Sequence, residues 1–153
     1  MSDDRHDWEV EQERLFVDVV LVVILYGHND VGQPQIKIGL LNNNGELTLP
    51  AKAVTHTHYA TEQAVALIRE MVGVPIEQLT VLPVDFFDPI NQNTPLDERK
   101  NRKLLLGYRV YITPGMPVNN KLEFYDYEGL ELARSRISKS HARVFRAALN
   151  TSR

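Results

Sequence analysis

The sequence predicts one α/β domain, and three observations carry that reading. Phe16 to Leu25 holds five valines in ten residues; two later stretches, Val81 to Phe86 and Lys103 to Ile112, are rich in large apolar residues; and two segments, Ala60 to Val72 and Asp126 to Leu149, repeat their apolar positions at helical spacing. With 153 residues, 43% hydrophobic and 24% charged, the chain has enough apolar material for one core and too little length for two full domains.

Residues 1–14 carry six acids against Arg5, His6 and Arg14, with Trp8 as their one aromatic, and read as an acidic tail or short surface helix. Phe16 to Leu25 reads as a central strand buried on both faces. Gly27 to Pro34 is a loop by composition, after which Ile36, Ile38 and Leu40 alternate with polar or small residues as a half-buried strand does. Asn43-Asn44-Gly45 then turns the chain tightly into Leu47 and Leu49, which predicts a hairpin. Ala60 to Val72 is a helix of three to four turns stopped by Gly73 and Pro75. Pro83 marks the next strand as an edge or a bulge. Phe87 to Arg102 is a long polar loop of the kind that carries function, and Lys103 to Ile112 is a buried strand. From Asp126, an N-cap residue type, a continuous amphipathic helix is expected to run to Leu149, with Arg134, Arg136, Lys139, Arg143 and Arg146 on its solvated side.

The global numbers exclude several classes of function. Seventeen Lys and Arg against twenty Asp and Glu give a net charge of −3, without the basic excess of a nucleic-acid binder. The absence of cysteine removes disulfide frameworks, thiolate metal sites and cysteine nucleophiles. The longest apolar run, Leu15 to Tyr26, is interrupted by Asp18 and falls short of the roughly 20 residues of a membrane span. The acidic stretch before it has the wrong charge for a secretory leader, so a soluble, unprocessed, cytoplasmic protein is expected.

The stretch LPAKAVTHTHYATEQAVALIREMVGV, Leu49 to Val74, resembles the Nudix family, whose box reads G-x5-E-x7-R-E-U-x-E-E-x-G-U with U aliphatic. Laid without a gap on Lys52 to Val74, Leu49-Pro50 occupies the usual approach to the box. Ile68 and Val74 fill aliphatic positions, Glu70 falls on the first glutamate of the pair and Gly73 on the closing glycine. Elsewhere the pattern is replaced: Lys52 stands at the box glycine, His58 at the isolated glutamate, Ala66 at the arginine, and Leu67 and Met71 at the two other helical glutamates. The resemblance implies a Nudix-type α/β/α sandwich with a mixed β-sheet, formed by residues 15–149 as one domain after the tail at 1–14, and looks broadly like the ADP-ribose pyrophosphatase and NAD-regulator branch.

The replaced positions bear on chemistry. Residues 67, 70 and 71 share one helical face, so three glutamates there could converge on Mg²⁺ or Mn²⁺, whereas Leu67, Glu70 and Met71 offer one oxygen donor group. Glu62 lies eight residues before Glu70, about 12 Å along the axis, and cannot share a cation with it. The expected function is therefore binding of a nucleotide or a nucleoside-diphosphate derivative resembling ADP-ribose, or of a protein partner, without efficient turnover and without a required cofactor. Two alternatives stand beside it. One is an active Mg²⁺- or Mn²⁺-dependent Nudix hydrolase using Glu70 with loop acids from Asp85, Asp88, Asp97 and Glu98; the other is an interaction module that offers the Leu67 and Met71 face to another protein or to a second copy in a homodimer. Arg99 and Arg102 are the candidate diphosphate contacts and Phe87 the candidate base-stacking residue. His56 and His58 share one side of an extended segment but lack a third ligand, and no glycine-rich phosphate loop is present.

Overall fold

The computed structural model describes residues 14–55, 57–88, 93–95 and 101–151. Its frame is β1, Arg14–His28, whose residues Val19 to Ile24 have no exposed surface. Strand β6, Asn101–Ile112, pairs with β1 in parallel from Arg14↔Asn101 to Leu25↔Ile112. The opposite edge of β1 is shared. Strand β2, Pro34–Asn43, runs antiparallel against Val23 to His28, and β4, Ala51–Val54, against Val17 to Val20. Between them β3, Glu46–Thr48, pairs with the far end of β2. Strand β5, Thr80–Phe87, closes the other side on β6, and β7, Leu122–Tyr125, lies on the outer edge of β2. The sheet is therefore mixed and seven-stranded.

Side chains alternate across β1 and so divide the core into two layers. Val19, Leu21 and Val23 pack with Ala64, Leu67, Ile68 and Met71 of helix α1, Ala60–Met71. Val20, Val22 and Ile24 pack instead with Leu130 of α2, Tyr127–Leu132, with the adjoining Ala133, and with Val144 and Ala148 of α3, Ala142–Thr151. The arrangement is the expected α/β/α sandwich. None of the helices described is long and apolar enough to cross a membrane.

Local chemistry explains the elements. The β2–β3 turn pairs Asn43 with Glu46 across Asn44 and Gly45, whose φ values of 54° and 96° are those of a type I′ turn, and Asn42 Oδ1 accepts from Gly45 N at 2.8 Å. Pro83 sits on the edge strand beside a bulge between Pro83 and Phe86. Asp18, the acid within the apolar strand, meets Lys103 at 3.4 Å.

The C-terminal segment departs from the sequence expectation. Asp126 does cap α2, its Oδ1 accepting from Gly129 N at 2.7 Å, but the continuous helix from Asp126 to Leu149 does not form. It stops at Leu132, passes through two 3-10 turns at Arg134–Arg136 and Lys139–His141, and resumes as α3. The cause is tertiary: Ile137 is extended, bridges Leu47 of β3, and lets Ser138 N donate to the Leu47 carbonyl at 2.8 Å. Four residues on, His141 Nδ1 accepts from Leu49 N at 3.2 Å, so the hairpin and α3 are pinned together.

Two predictions follow from this packing. A Cβ at Gly107 would lie 2.9 Å from Val144 Cγ1 and 3.2 Å from Val84 Cβ, so Gly107→Ala should cost about 1–3 kcal/mol in urea unfolding. Adding Val144→Ala should recover part of that loss, a coupling a double-mutant cycle would read. Burial lowers the pKa of His141 below its ordinary 6.5, opposed by the Asp18 and Glu46 carboxylates and reinforced by Lys103. Between the lowered value and 6.5 the unfolded chain holds a proton that the folded one does not, so stability is lost as pH falls below 6.5. The melting temperature of the wild type should drop more between pH 7 and pH 5 than that of His141→Asn, whose side-chain oxygen accepts without titrating.

Candidate functional site

Helix α1 carries the box-like segment, and its surroundings decide what that segment presents. It starts at Ala60 without a side-chain cap, and the buried Gln63 fixes its first turns by donating Nε2 to the Ala53 carbonyl of β4 at 2.6 Å. Its C-terminal end is closed by the 113–120 loop. Gly73 N donates to the Pro117 carbonyl and Asn119 N to the Met71 carbonyl, each at 2.8 Å, while Val72 bridges Val118. Gly73 has a steric reason as well, since a Cβ there would lie 3.1 Å from the Pro117 ring. Carbonyls that a helix end leaves orphaned are thus satisfied by backbone.

Leu67 and Met71 point inward, with 3% and 4% of their surface exposed, in the apolar layer that includes Met116 and Val118. The apolar face offered above to another protein is therefore part of the core and is not presented to solvent; the physical reason is that Leu67 and Met71 share the stripe of Ala64 and Ile68 that packs on β1. Glu70 is exposed beside them, and Glu62 lies exposed in the first turn. On this helix the donor set for a hard cation is a single carboxylate, which does not fit the three-carboxylate arrangement of the box. Among the described residues no three His, Asp or Glu side chains gather as a metal-holding group.

The other sequence candidates are dispersed. Lys52 is half-buried on β4, and Ala66 half-buried on α1. His58 is exposed in a tight turn, its Nδ1 within 3.0 Å of Thr57 Oγ1 and 3.2 Å of Thr55 Oγ1; His56 lies outside the described residues. Asp85 is exposed and accepts from Phe86 N at 2.7 Å, and the Asp88 carbonyl accepts from Arg143 at 2.6 Å. Asp97, Glu98 and Arg99 lie outside the described residues, as do the tail 1–13 and the side chain of Arg102, whose backbone opens β6. Phe87 is the last residue of β5, paired with Leu105 and packed in the layer of α2 and α3, whereas Phe86 is 51% exposed. The β5 bulge turns Phe87 rather than Phe86 toward that layer.

Two features went unread in the sequence. Arg134, Lys139 and Arg146 rim a groove of about 420 Å³ between α2 and α3, floored by Leu130, Ile137 and Phe145. These cations belong to a kinked segment and converge where a straight helix would have spread them. Arg109, half-buried in the apolar strand β6, donates Nη1 to Tyr111 Oη at 3.0 Å, and Tyr111 stacks on Tyr26 with ring centroids 5.6 Å apart. A lone arginine inside YRVYI was the available signal.

No protein-family model matches the chain, and no curated protein matches it in sequence. Solved structures do. A mutT/nudix family protein from Listeria innocua superposes with a TM-score of 0.68 at 12% identity, over 89% of this chain and 92% of that one. The NUDIX domain of Shewanella oneidensis NrtR, solved with ADP ribose, gives 0.61 at 12% identity over 92% and 90%. The C-terminal domain of mouse MUTYH, solved in complex with human PCNA, gives 0.63 at 13% identity over 91% and 90%. With the two-layered core around a mixed sheet, these likenesses show that the chain has the Nudix fold.

Proposed function

We propose that this domain binds a nucleoside-diphosphate derivative of the ADP-ribose kind and does not turn it over efficiently. The observation that carries the reading is the inward burial of Leu67 and Met71, at the two positions where the box has carboxylates, beside a solitary exposed Glu70. A hydrolase of this kind depends on clustered carboxylates to hold divalent metal against the diphosphate, and one carboxylate leaves most of a hard cation's coordination to water. The choice of ligand is supported by the NrtR NUDIX domain, which shares the fold and was solved with ADP ribose. Arg99 and Arg102 are the proposed diphosphate contacts, as guanidinium forks suited to bidentate pairing with phosphate. Phe87, half-buried at the end of β5, is the proposed base-stacking residue. A protein partner is the second reading, supported by the MUTYH domain of the same fold solved with PCNA.

The test separates the readings. At one hundred times its Kd, a ligand stabilises the folded state by about 2.7 kcal/mol, which for a chain of this size raises the melting temperature by roughly 5–10 °C. ADP-ribose should do so without metal, and the shift should persist in Glu70→Gln. Incubation with Mg²⁺ or Mn²⁺ should release no AMP and no ribose 5-phosphate. Release that Glu70→Gln abolishes would establish the hydrolase instead, and the absence of any ADP-ribose shift would remove the ligand reading.

A further inference from the structure

Arg109 occupies the middle of β6, with Val22 of β1 and Leu82 of β5 as its cross-strand neighbours. Its register matches Leu105 and Tyr111, which places it on the sheet face covered by α2 and α3, away from α1. The Nη1 group donates to Tyr111 Oη at 3.0 Å, and the guanidinium carbon lies 5.8 Å from the centroid of the Tyr111 ring. The Nε–H is shielded from solvent and has no hydrogen-bond partner among the described residues. Among the described residues no carboxylate forms an ion pair with Arg109.

This is an uncompensated state for an arginine. The guanidinium stays charged at any ordinary pH and presents five donors, and buried donors are almost always satisfied. The partnerless Nε lies beside Nη2 on one edge of the fork, the edge on which a phosphate or carboxylate takes two parallel hydrogen bonds. The surroundings are not sealed. Tyr26, stacked on Tyr111 at 29° between the ring planes, is 42% exposed, and Leu82 beside Arg109 is 40% exposed. A cation with one buried donor left over and an accessible aromatic face therefore both touch the same tyrosine.

We propose that Arg109 anchors a phosphate-binding site on the α2–α3 face of the sheet, with the exposed ring of Tyr26 as a platform for the planar group to which the phosphate is attached. The proposal goes beyond the ligand reading above: it assigns a phosphate contact to a residue outside both the box-like segment and the 87–102 loop. A phosphate at the Nε and Nη2 edge satisfies the buried donor, and Tyr111 Oη holds the guanidinium plane in place for it. The site consequently trades stability for binding, because a buried donor left unpaired in the empty protein is a cost that ligand removes.

The test uses the full chain with inorganic pyrophosphate, AMP, adenosine and ADP-ribose, each titrated by calorimetry and by thermal unfolding, with matched sulfate as the control for the general stabilising effect of such anions. Wild type should bind pyrophosphate and AMP saturably, AMP more tightly, and adenosine weakly. Arg109→Met should lose at least tenfold in affinity for both phosphates while its ligand-free melting temperature stays level or rises. Tyr26→Ala should remove the preference for AMP over pyrophosphate. Arg109→Lys, which keeps the charge without the fork, should fall between wild type and Arg109→Met. The proposal is overturned if wild type shows no saturable phosphate binding, if Arg109→Met binds like wild type, or if Arg99→Ala with Arg102→Ala abolishes binding that Arg109→Met retains. ADP-ribose that stabilises Arg109→Met as much as wild type would sink this site and leave the proposed function standing. Arg109-dependent pyrophosphate binding with no response to ADP-ribose would do the reverse.

Discussion

Everything in this molecule is referred to β1. It is hydrogen-bonded along both edges, by β6 over its first twelve residues and by β4 and β2 in succession on the other side, and from Val19 to Ile24 it is buried on both faces. A strand so enclosed can contain little except apolar, mostly β-branched residues, and the valine-rich sequence meets that demand. The two faces also set the helices apart: α1 docks on the odd-numbered residues and the α2–α3 pair on the even-numbered ones. The one acid in its central stretch, Asp18, sits where β6 supplies Lys103 beside it.

That layering governs what α1 can offer. A helix that lies on β1 through Ala64, Leu67, Ile68 and Met71 has the face of positions 67 and 71 committed to packing, and the 113–120 loop closes its last turn. Carboxylates at positions 67 and 71 would face the apolar side chains that surround Leu67 and Met71 unless that loop stood further away, and burial without compensation is costly for a charge. The box-like helix here has the architecture of a core element. The opposite layer holds a broken helix, a cationic groove and a guanidinium whose Nε has no partner among the described residues.

How much of this was legible in the sequence depended on how local the cause was. The β1 run, the Asn44-Gly45 turn, α1 with its stop at Gly73, and the Asp126 cap are dictated by neighbouring residues, and all were readable. Strands β4 and β7 have four residues each, too few to show a period, and exist because β1 and β2 have edges to fill. The break after Leu132 was hidden because the apolar spacing continues through it; the competing hydrogen bond, Ser138 to Leu47, joins residues 91 positions apart. The bulge that turns Phe87 toward the α2–α3 layer and leaves Phe86 exposed shifts the alternation by a step that composition does not reveal. At the candidate site, the missing carboxylates were plain in the sequence, whereas the partnerless Nε of Arg109 depends on what three strands place around it.

The parallel pairing of β1 with β6 has a consequence for how the chain is made. Arg14 meets Asn101, 87 positions later, so at a synthesis rate of roughly 5–20 residues per second β6 trails β1 by about ten seconds. In that interval the first twelve residues of the most apolar strand in the protein have one edge unpaired, and such edges are where nascent chains associate with one another. The hairpin of β2 and β3, followed by β4, can cover the other edge early because those partners are close in sequence. Six acids stand immediately ahead of β1, and charges flanking an apolar strand oppose its self-association. During synthesis, then, the acidic segment serves the strand that must wait longest for its neighbour.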